Sequence, residues 1–367
     1  MKIGFIDVTV TVSYGGIQTA VWELAKALTD AGHEIHIFGG TGNIRPASDG
    51  RNIYIHTFPF IPRERVPNIG RRFQRIVERY SFARHAREAV IAENFDWVIL
   101  TKPFDFFWPR MIPETSHTKF CYMSGGTSFF KGDRILGRKI STWVACSHFN
   151  AWQIQHHFKQ FPNVIYNGVD TDKFKPTDSG IRTQLGINED TFLLTFAGRL
   201  VGWKGMKVAI DAMVLLKDKG VKLLIIGAGE ELKQLEKRVS ALQLEKSVIF
   251  HSPVSHDQLP EFYSAGDAGI FPSIGDEAFG ITIAEAMACG RPVIASYIGG
   301  IPEVVGNENQ AGILVTPGDA KAITDAVNHL LSLEDRGKSM GRYARQRIEA
   351  MYTWEHSANR LLNAIKK

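Results

Sequence analysis

A chain of 367 residues with 44% apolar and 22% charged side chains is too long for one ordinary core. Its balance is that of a globular protein, which excludes disordered and fibrous classes. The formal charge of +5 suits anionic ligands or an anionic surface but identifies neither.

In chain order, MKIGFIDVTV reads as a strand meeting the turn Ser13-Tyr14-Gly15-Gly16, without the basic flank, apolar stretch and cleavage site of a leader. No apolar run reaches the roughly 18–20 residues of a membrane span. KIGFID (2–7) leads into a helix within GGIQTAVWELAKALTDAGH (15–33), where Val21, Leu24, Ala25 and Leu28 share a face and Gly32 suits the exit. Further strands are expected at 34–40, 52–58, 96–101, 119–123 and 143–146. A second alternation starts near 190, with strands in 191–198, 221–229, 247–254, 267–273 and 292–296 and helices between them. These runs are mostly continuous apolar, as expected of parallel strands covered on both faces. FPNVIYNGVDTDKFKPTDSG (161–180), rich in Pro, Asn, Asp and Gly, marks the boundary between two Rossmann-like domains. The expected spans are 1–165 and 166–351. Cys121, Cys146 and Cys289 are scattered and never in a CxxC pair, so they read as reduced thiols of a cytosolic protein.

Ligands of open α/β sheets gather beyond the carboxyl ends of the strands, and four glycine turns sit at such ends: SYGGIQ (13–18), AGRLVGWKG (197–205), IGAGE (226–230) and DEAFGI (276–281). Arg199 and Lys204 follow a strand and together match a diphosphate, although each could be a solvated loop charge. GxGxxG fails at Leu232 and no GxxxxGK[ST] loop occurs, which weakens dinucleotide and kinase readings. Glu277 precedes a helix and Glu285 lies inside it. Thr282-x-x-Glu285 could be a capping box, and Glu277 a favourable charge at the helix start. Alternatively, amides around Phe279, Gly280 and Ile281 hold a phosphate, while the two acids accept hydrogen bonds from hydroxyls on either side of it.

The stretch EAFGITIAEAMACGRPVIAS, with Glu277 and Glu285 in an E-x7-E spacing, followed by GGIPEVV (299–305), resembles the retaining family 4 glycosyltransferases of GT-B fold. GGIQTAVWELAKALTDAGHEI, NGVDTDKF, AGRLVGWKG and YTWEHSANRLL extend the resemblance over nearly the whole chain, weakest from 41 to 140. It implies two Rossmann-like domains facing across a cleft, with an acceptor site in the first and a nucleoside diphosphate-sugar site in the second. The tail 352–367 would return to the first domain. By the same resemblance, Arg199 and Lys204 contact the diphosphate, Glu277 lies near the donor sugar and Glu285 near the ribose. Gly16, Gly198 and Gly280 belong to the glycine loops, and Val254 meets the base. Transfer to an acceptor hydroxyl, on a saccharide or a lipid-linked carrier, would proceed without metal or other cofactor. A non-catalytic sugar-nucleotide-binding subunit and an epimerase on the same scaffold are the alternatives.

Many relatives carry a histidine at the end of a first-domain strand, where KFCYMSGGTSFFKG (119–132) instead offers Met123 or Ser124. Ser124, Lys131 and Asp105 are therefore the candidates for the reaction centre or acceptor. Asp170-Thr171-Asp172 has the DxD pattern of a metal site in another fold, but here Asp172 is expected to cap the turn into Lys173-Phe174. From 63 to 87 run eight arginines against two glutamates, with Phe73, Ile76, Val77 and Tyr80 on one helical face and Arg72, Arg75 and Arg79 on another. Such a helix could lie on an anionic membrane, or pack with a solvated basic face. Nucleic acid is not expected, since no basic stripe alternates with stacking aromatics.

Overall fold

The computed structural model describes residues 1–366 except Ala47, Thr127, Ser128 and Lys131. Two compact units form, Met1–Gly168 with Trp354–Lys367, and Val169–Thr353. Among the described residues no helix is long and apolar enough to cross a membrane.

In the first unit the strands are β1 (Lys2–Ile6), β2 (Glu34–Gly40), β3 (Ile53–Phe58), β4 (Trp97–Leu100), β5 (Lys119–Ser124), β6 (Thr142–Ala145) and β7 (Asn163–Val164). They make one sheet in the order β3-β2-β1-β4-β5-β6-β7, with parallel neighbours throughout. Helix α1 (Gly16–Asp30) buries Val21, Leu24, Ala25 and Leu28, and packs in one core with Trp354, Leu361 and Ile365 of the Trp354–Lys366 helix. Each such aliphatic side chain contributes about 1.5–3 kcal/mol when fully buried. Past α1, Gly32 takes a positive φ of 81°.

On the other face lies α2 (Arg71–Ala92), through Phe82, Ala83, Ala86 and Val90. Arg71, Arg75, Arg84 and Arg87 are exposed, as a solvated basic face requires, but Arg79 is not. Phe73, Ile76 and Tyr80 are 42%, 41% and 50% exposed, whereas Arg79 is 4% exposed. Arg79 turns inward because Asp7, just beyond β1, and Asp105, beyond β4, both accept from its guanidinium. Arg72 likewise pairs with buried Asp133 and stacks on the rings of Phe104 and Phe130.

In the second unit the strands are β8 (Phe192–Ala197), β9 (Val221–Ile226), β10 (Val248–His251), β11 (Ala268–Phe271), β12 (Val293–Ser296) and β13 (Gly312–Val315). All six residues of β8 are buried, which explains a run that is apolar except for Thr195. The order β10-β9-β8-β11-β12-β13 reverses direction between β8 and β11. That neighbouring pair flanks the topological switch point, outside which ligands of open α/β sheets collect. The Asp170 carboxylate, not that of Asp172, caps the turn here. Its Oδ1 accepts from the amides of Asp172 at 3.1 Å and Lys173 at 3.0 Å.

Candidate functional site

The segments leaving β8 and β11 are stitched together at the switch point. The carbonyl of Trp203 accepts from the amides of Ile274 (2.8 Å) and Gly275 (3.2 Å). Gly205 sits so close that a Cβ there would lie 1.9 Å from the carbonyl oxygen of Pro272. This stitching aims Lys204 at Glu277, and the ammonium donates to Oε2 at 2.5 Å. Lys204 also lies 4.5 Å from the centre of the Trp203 ring. Behind the acid, Gly299 has a positive φ of 61°, and a Cβ on it would lie 2.3 Å from the carbonyl oxygen of Glu277. That carbonyl accepts from the amide of Gly300 at 2.7 Å. Glu277 is thus held through its backbone by one glycine turn and through its side chain by the lysine.

Arg199 follows Gly198 just beyond β8 and is exposed, and its guanidinium has no hydrogen-bond or ion-pair partner among the described residues. Gly280 leads the Ile281–Ala288 helix with no side-chain cap, beside buried Phe279. The Thr282–Glu285 capping box therefore does not form. Thr282 is already inside the helix, and the acid faces elsewhere. Glu285, 3% exposed, pairs its Oε1 with Nε2 of His256 at 2.7 Å. Its Oε2 is buried without a hydrogen-bond partner among the described residues. Nδ1 of His256 faces the ammonium of Lys173 at 3.1 Å. An ammonium only donates, so Nδ1 is the acceptor and the Nε2–H donates to Glu285. Val254, half-buried, lies between β10 and this histidine.

The remaining candidates fall in the first unit. Gly16 is the exposed first residue of α1, which also lacks a side-chain cap. Ser124 closes β5 and is buried, its hydroxyl donating to the carbonyl of Gly126 at 3.3 Å, a carbonyl that also accepts from Asn150 Nδ2 at 2.7 Å. Asp105 is buried on Arg79, and burial pushes its carboxyl up to about 7. Asp7 is buried too, but Arg79, Lys102, the Thr101 hydroxyl and the Thr9 amide together hold it down at about 2. The structure therefore brings Arg79, Asp7 and Asp105 together, and among the described residues no hydrogen bond or ion pair joins Ser124 to them. Lys131 lies outside the described residues.

Two family models match, Glycosyl transferases group 1 over residues 178–347 and Glycosyltransferase Family 4 over residues 14–173. The chain belongs to the group 1, family 4 glycosyltransferases. It is 34% identical over 216 residues to a D-inositol 3-phosphate glycosyltransferase of Corynebacterium urealyticum, covering 55% of this chain and 50% of that protein. An uncharacterized glycosyltransferase of Methanocaldococcus jannaschii is 32% identical over 209 residues, 55% of this chain and 53% of that one. The chain spans about half the length of the curated relatives it matches. Among solved structures, sucrose-phosphate synthase from Thermosynechococcus elongatus superposes with a TM-score of 0.85 at 21% identity, covering 100% of this chain and 98% of that one. Anabaena HepE in complex with UDP and glucose gives 0.83 at 21%, covering 100% of both. The fold is GT-B, two Rossmann-like units.

His256 and Lys173 are the site residues that sequence reasoning on this glycosyltransferase missed. Neither belongs to one of the four glycine turns; the signals were that Lys173 lies within NGVDTDKF and that His256 follows β10 at the carboxyl edge where ligands gather.

Proposed function

We propose that this glycosyltransferase moves a sugar from a nucleoside diphosphate-sugar to an acceptor hydroxyl, with retention of anomeric configuration. The observation that carries the reading is the pair Lys204–Glu277 closing across the switch point, with the unpartnered Oε2 of Glu285 buried one helix away. A cation, an uncapped helix start and two acids suit a diphosphate with hydroxyl-bearing groups at both ends. As the bond between sugar and diphosphate breaks, negative charge builds on the departing phosphate. Arg199, Lys204 and the amides at Gly280 and Ile281 stabilise that charge more in the transition state than before it. In this reading the protein's own cations do that work, and no cofactor is assigned. Glu277 orients the sugar, Glu285 takes ribose hydroxyls, and Gly198 and Val254 line the nucleotide. The departing diphosphate accepts the proton of the attacking hydroxyl on the face it leaves. In the first unit, Gly16 is assigned to the donor diphosphate and Ser124 to the acceptor or reaction centre.

The acceptor is a saccharide or a lipid-linked carrier, met on an anionic surface through α2. The exposed Phe73, Ile76 and Tyr80 supply an apolar strip beside Arg71 and Arg75. The test is a thermal-shift panel of nucleotide sugars, beginning with UDP-sugars because the HepE neighbour was solved with UDP and glucose. A donor at a hundred times its Kd stabilises by ~2.7 kcal/mol. NMR of the glycosidic product then reads its anomeric configuration. A donor that binds but yields product of inverted configuration overturns the retaining assignment, and a panel with no shift overturns the donor site.

A further inference from the structure

We propose that His36, His56 and Glu93 bind a divalent transition-metal ion of the zinc class at the outer edge of the first unit's sheet. The parallel register of β2 and β3 sets His36 opposite Tyr54 and Phe38 opposite His56. Side chains two apart share a face, so the two histidines are diagonal neighbours on it. Their rings stack at 5.1 Å, and Nδ1 of His36 faces Nε2 of His56 at 2.9 Å.

Which nitrogen of His36 offers a lone pair follows from its other contact. Nε2 lies 2.9 Å from Oε1 of Glu34. A carboxylate accepts, so Nε2 carries the proton and Nδ1 of the neutral ring presents its lone pair inward. A carboxylate behind a histidine in this manner is the usual outer partner of a metal-ligating imidazole. The third ligand comes from the C-terminal end of α2, where Glu93 Oε2 lies 3.8 Å from the same Nδ1. All three ligand atoms fall within 4.8 Å of one another. Tetrahedral ligands at about 2.0–2.1 Å from zinc are about 3.3 Å apart, so the two histidine nitrogens spread slightly, Glu93 closes on Nδ1 by about half an ångström, and His56 and Glu93 draw together from a separation of up to 4.8 Å. His56 is half-buried on an edge strand and Glu93 caps a helix end, so both can adjust. Two imidazoles and one carboxylate suit zinc, and poorly suit magnesium or calcium, which take oxygen ligands.

Lys2 now balances the acids, with Nζ 2.6 Å from Glu93 and 3.2 Å from Glu34. An ion on Glu93 leaves Lys2 to Glu34, so the charges still pair. The competing occupant of the His36 lone pair is a proton on His56 Nε2. The ion ties β3, β2 and the end of α2 together, three elements distant in sequence, and its role is structural.

The test is calorimetric titration of the metal-stripped full chain with Zn²⁺, with Co²⁺ absorption to report four-coordination. A single saturable site per chain is expected, with a higher melting temperature when loaded. Glu93→Gln and His56→Ala should weaken binding by about tenfold or more, and the exposed outer partner Glu34→Gln by about 10–100-fold. Circular dichroism of the metal-free variants checks their folding, and Glu34→Gln carries the test should His56→Ala fail to fold. Absence of saturable Zn²⁺ binding overturns the proposal, as does affinity that the folded variants leave within about twofold of wild type.

Discussion

Lys204 and Glu277 lie 73 positions apart in sequence and meet at 2.5 Å, one beyond β8 and the other beyond β11. The strand order alone makes them neighbours, because β8 and β11 pair where the sheet reverses. The two side chains are 15% and 17% exposed, so the pair is only partly wet. If Lys204 moves onto the leaving diphosphate, Lys204→Ala lowers kcat by about 10²–10³, with a smaller change in KM. Steady-state kinetics with the donor found by thermal shift checks this. A variant with intact kcat shows that the lysine does not meet developing charge.

His256 donates to Glu285 while Lys173 supports its other nitrogen. That chain leaves Oε2 of Glu285 buried without a hydrogen-bond partner among the described residues, the place the proposed reading gives to a ribose hydroxyl. A buried polar group left unmatched costs about 1–3 kcal/mol, so the wild-type protein should prefer a ribonucleoside diphosphate to its dideoxy analogue by about 5- to 150-fold. His256→Ala should shrink that preference, because the acid is no longer held in place. Calorimetric Kd values for both nucleotides decide it. A preference that survives in His256→Ala removes the histidine from ribose recognition.

The strands were legible because parallel strands covered on both faces are mostly apolar, and β8 and β9 are each interrupted by one polar residue, Thr195 and Lys222. β7, two residues long, left no pattern to read, and the four-residue β13 was not expected either. The orientation of α2 was not legible. Helical periodicity sorts residues onto faces but does not say which face a distant partner captures, and Arg79 is captured by Asp7, 72 residues away. Lys204, Glu277 and Glu285 were nameable from glycine turns and spacing, while the link from Glu285 to His256 depends on the β10 loop reaching the Ile281–Ala288 helix. Asp170 took the cap expected of Asp172 for a local reason. Its side chain precedes the two amides it binds, as an Asx turn requires.

The strip Phe73, Ile76 and Tyr80 gives α2 an apolar surface that the unit's core does not cover. Replacing all three with serine should leave the fold intact, since none is buried, yet weaken binding to vesicles containing anionic lipid. Each half-exposed ring or branched chain that enters the interface contributes on the order of 1 kcal/mol, so the triple variant should bind at least about tenfold more weakly. Co-sedimentation with anionic and neutral vesicles reads this. Equal binding by both proteins assigns the strip no membrane role.

Gly299 and Gly32 both have positive φ, 61° and 81°. A Cβ on Gly32 meets nothing within 4 Å, so Gly32→Ala carries only the backbone cost of about 1–2 kcal/mol. Gly299→Ala adds a collision with the Glu277 backbone, and that turn must open. The expected result is a larger loss in urea midpoint for Gly299→Ala, together with weakened donor binding that Gly32→Ala does not show. Equal midpoints would mean that the Glu277 turn yields freely.

Asp7 and Asp105 share one guanidinium, and they titrate in opposite directions. Asp7 also receives the Thr101 hydroxyl at 2.6 Å and the Thr9 amide at 2.9 Å, so it keeps its charge down to about 2. Its contribution to stability is present above the ordinary carboxylate pKa of 3.8 and is lost as pH falls toward about 2. For Asp105 the sign reverses. Burial raises it to about 7, so between 3.8 and 7 the folded chain holds a proton that the unfolded chain has released. Stability therefore falls as pH rises through that window. Asp105→Asn cannot ionise and should not show that fall. Melting temperatures of both proteins at about pH 5 and about pH 8 are expected to converge, or cross, as the wild type loses its advantage. Parallel pH profiles would show that Asp105 is ionised across the range and that Arg79 satisfies both carboxylates at once.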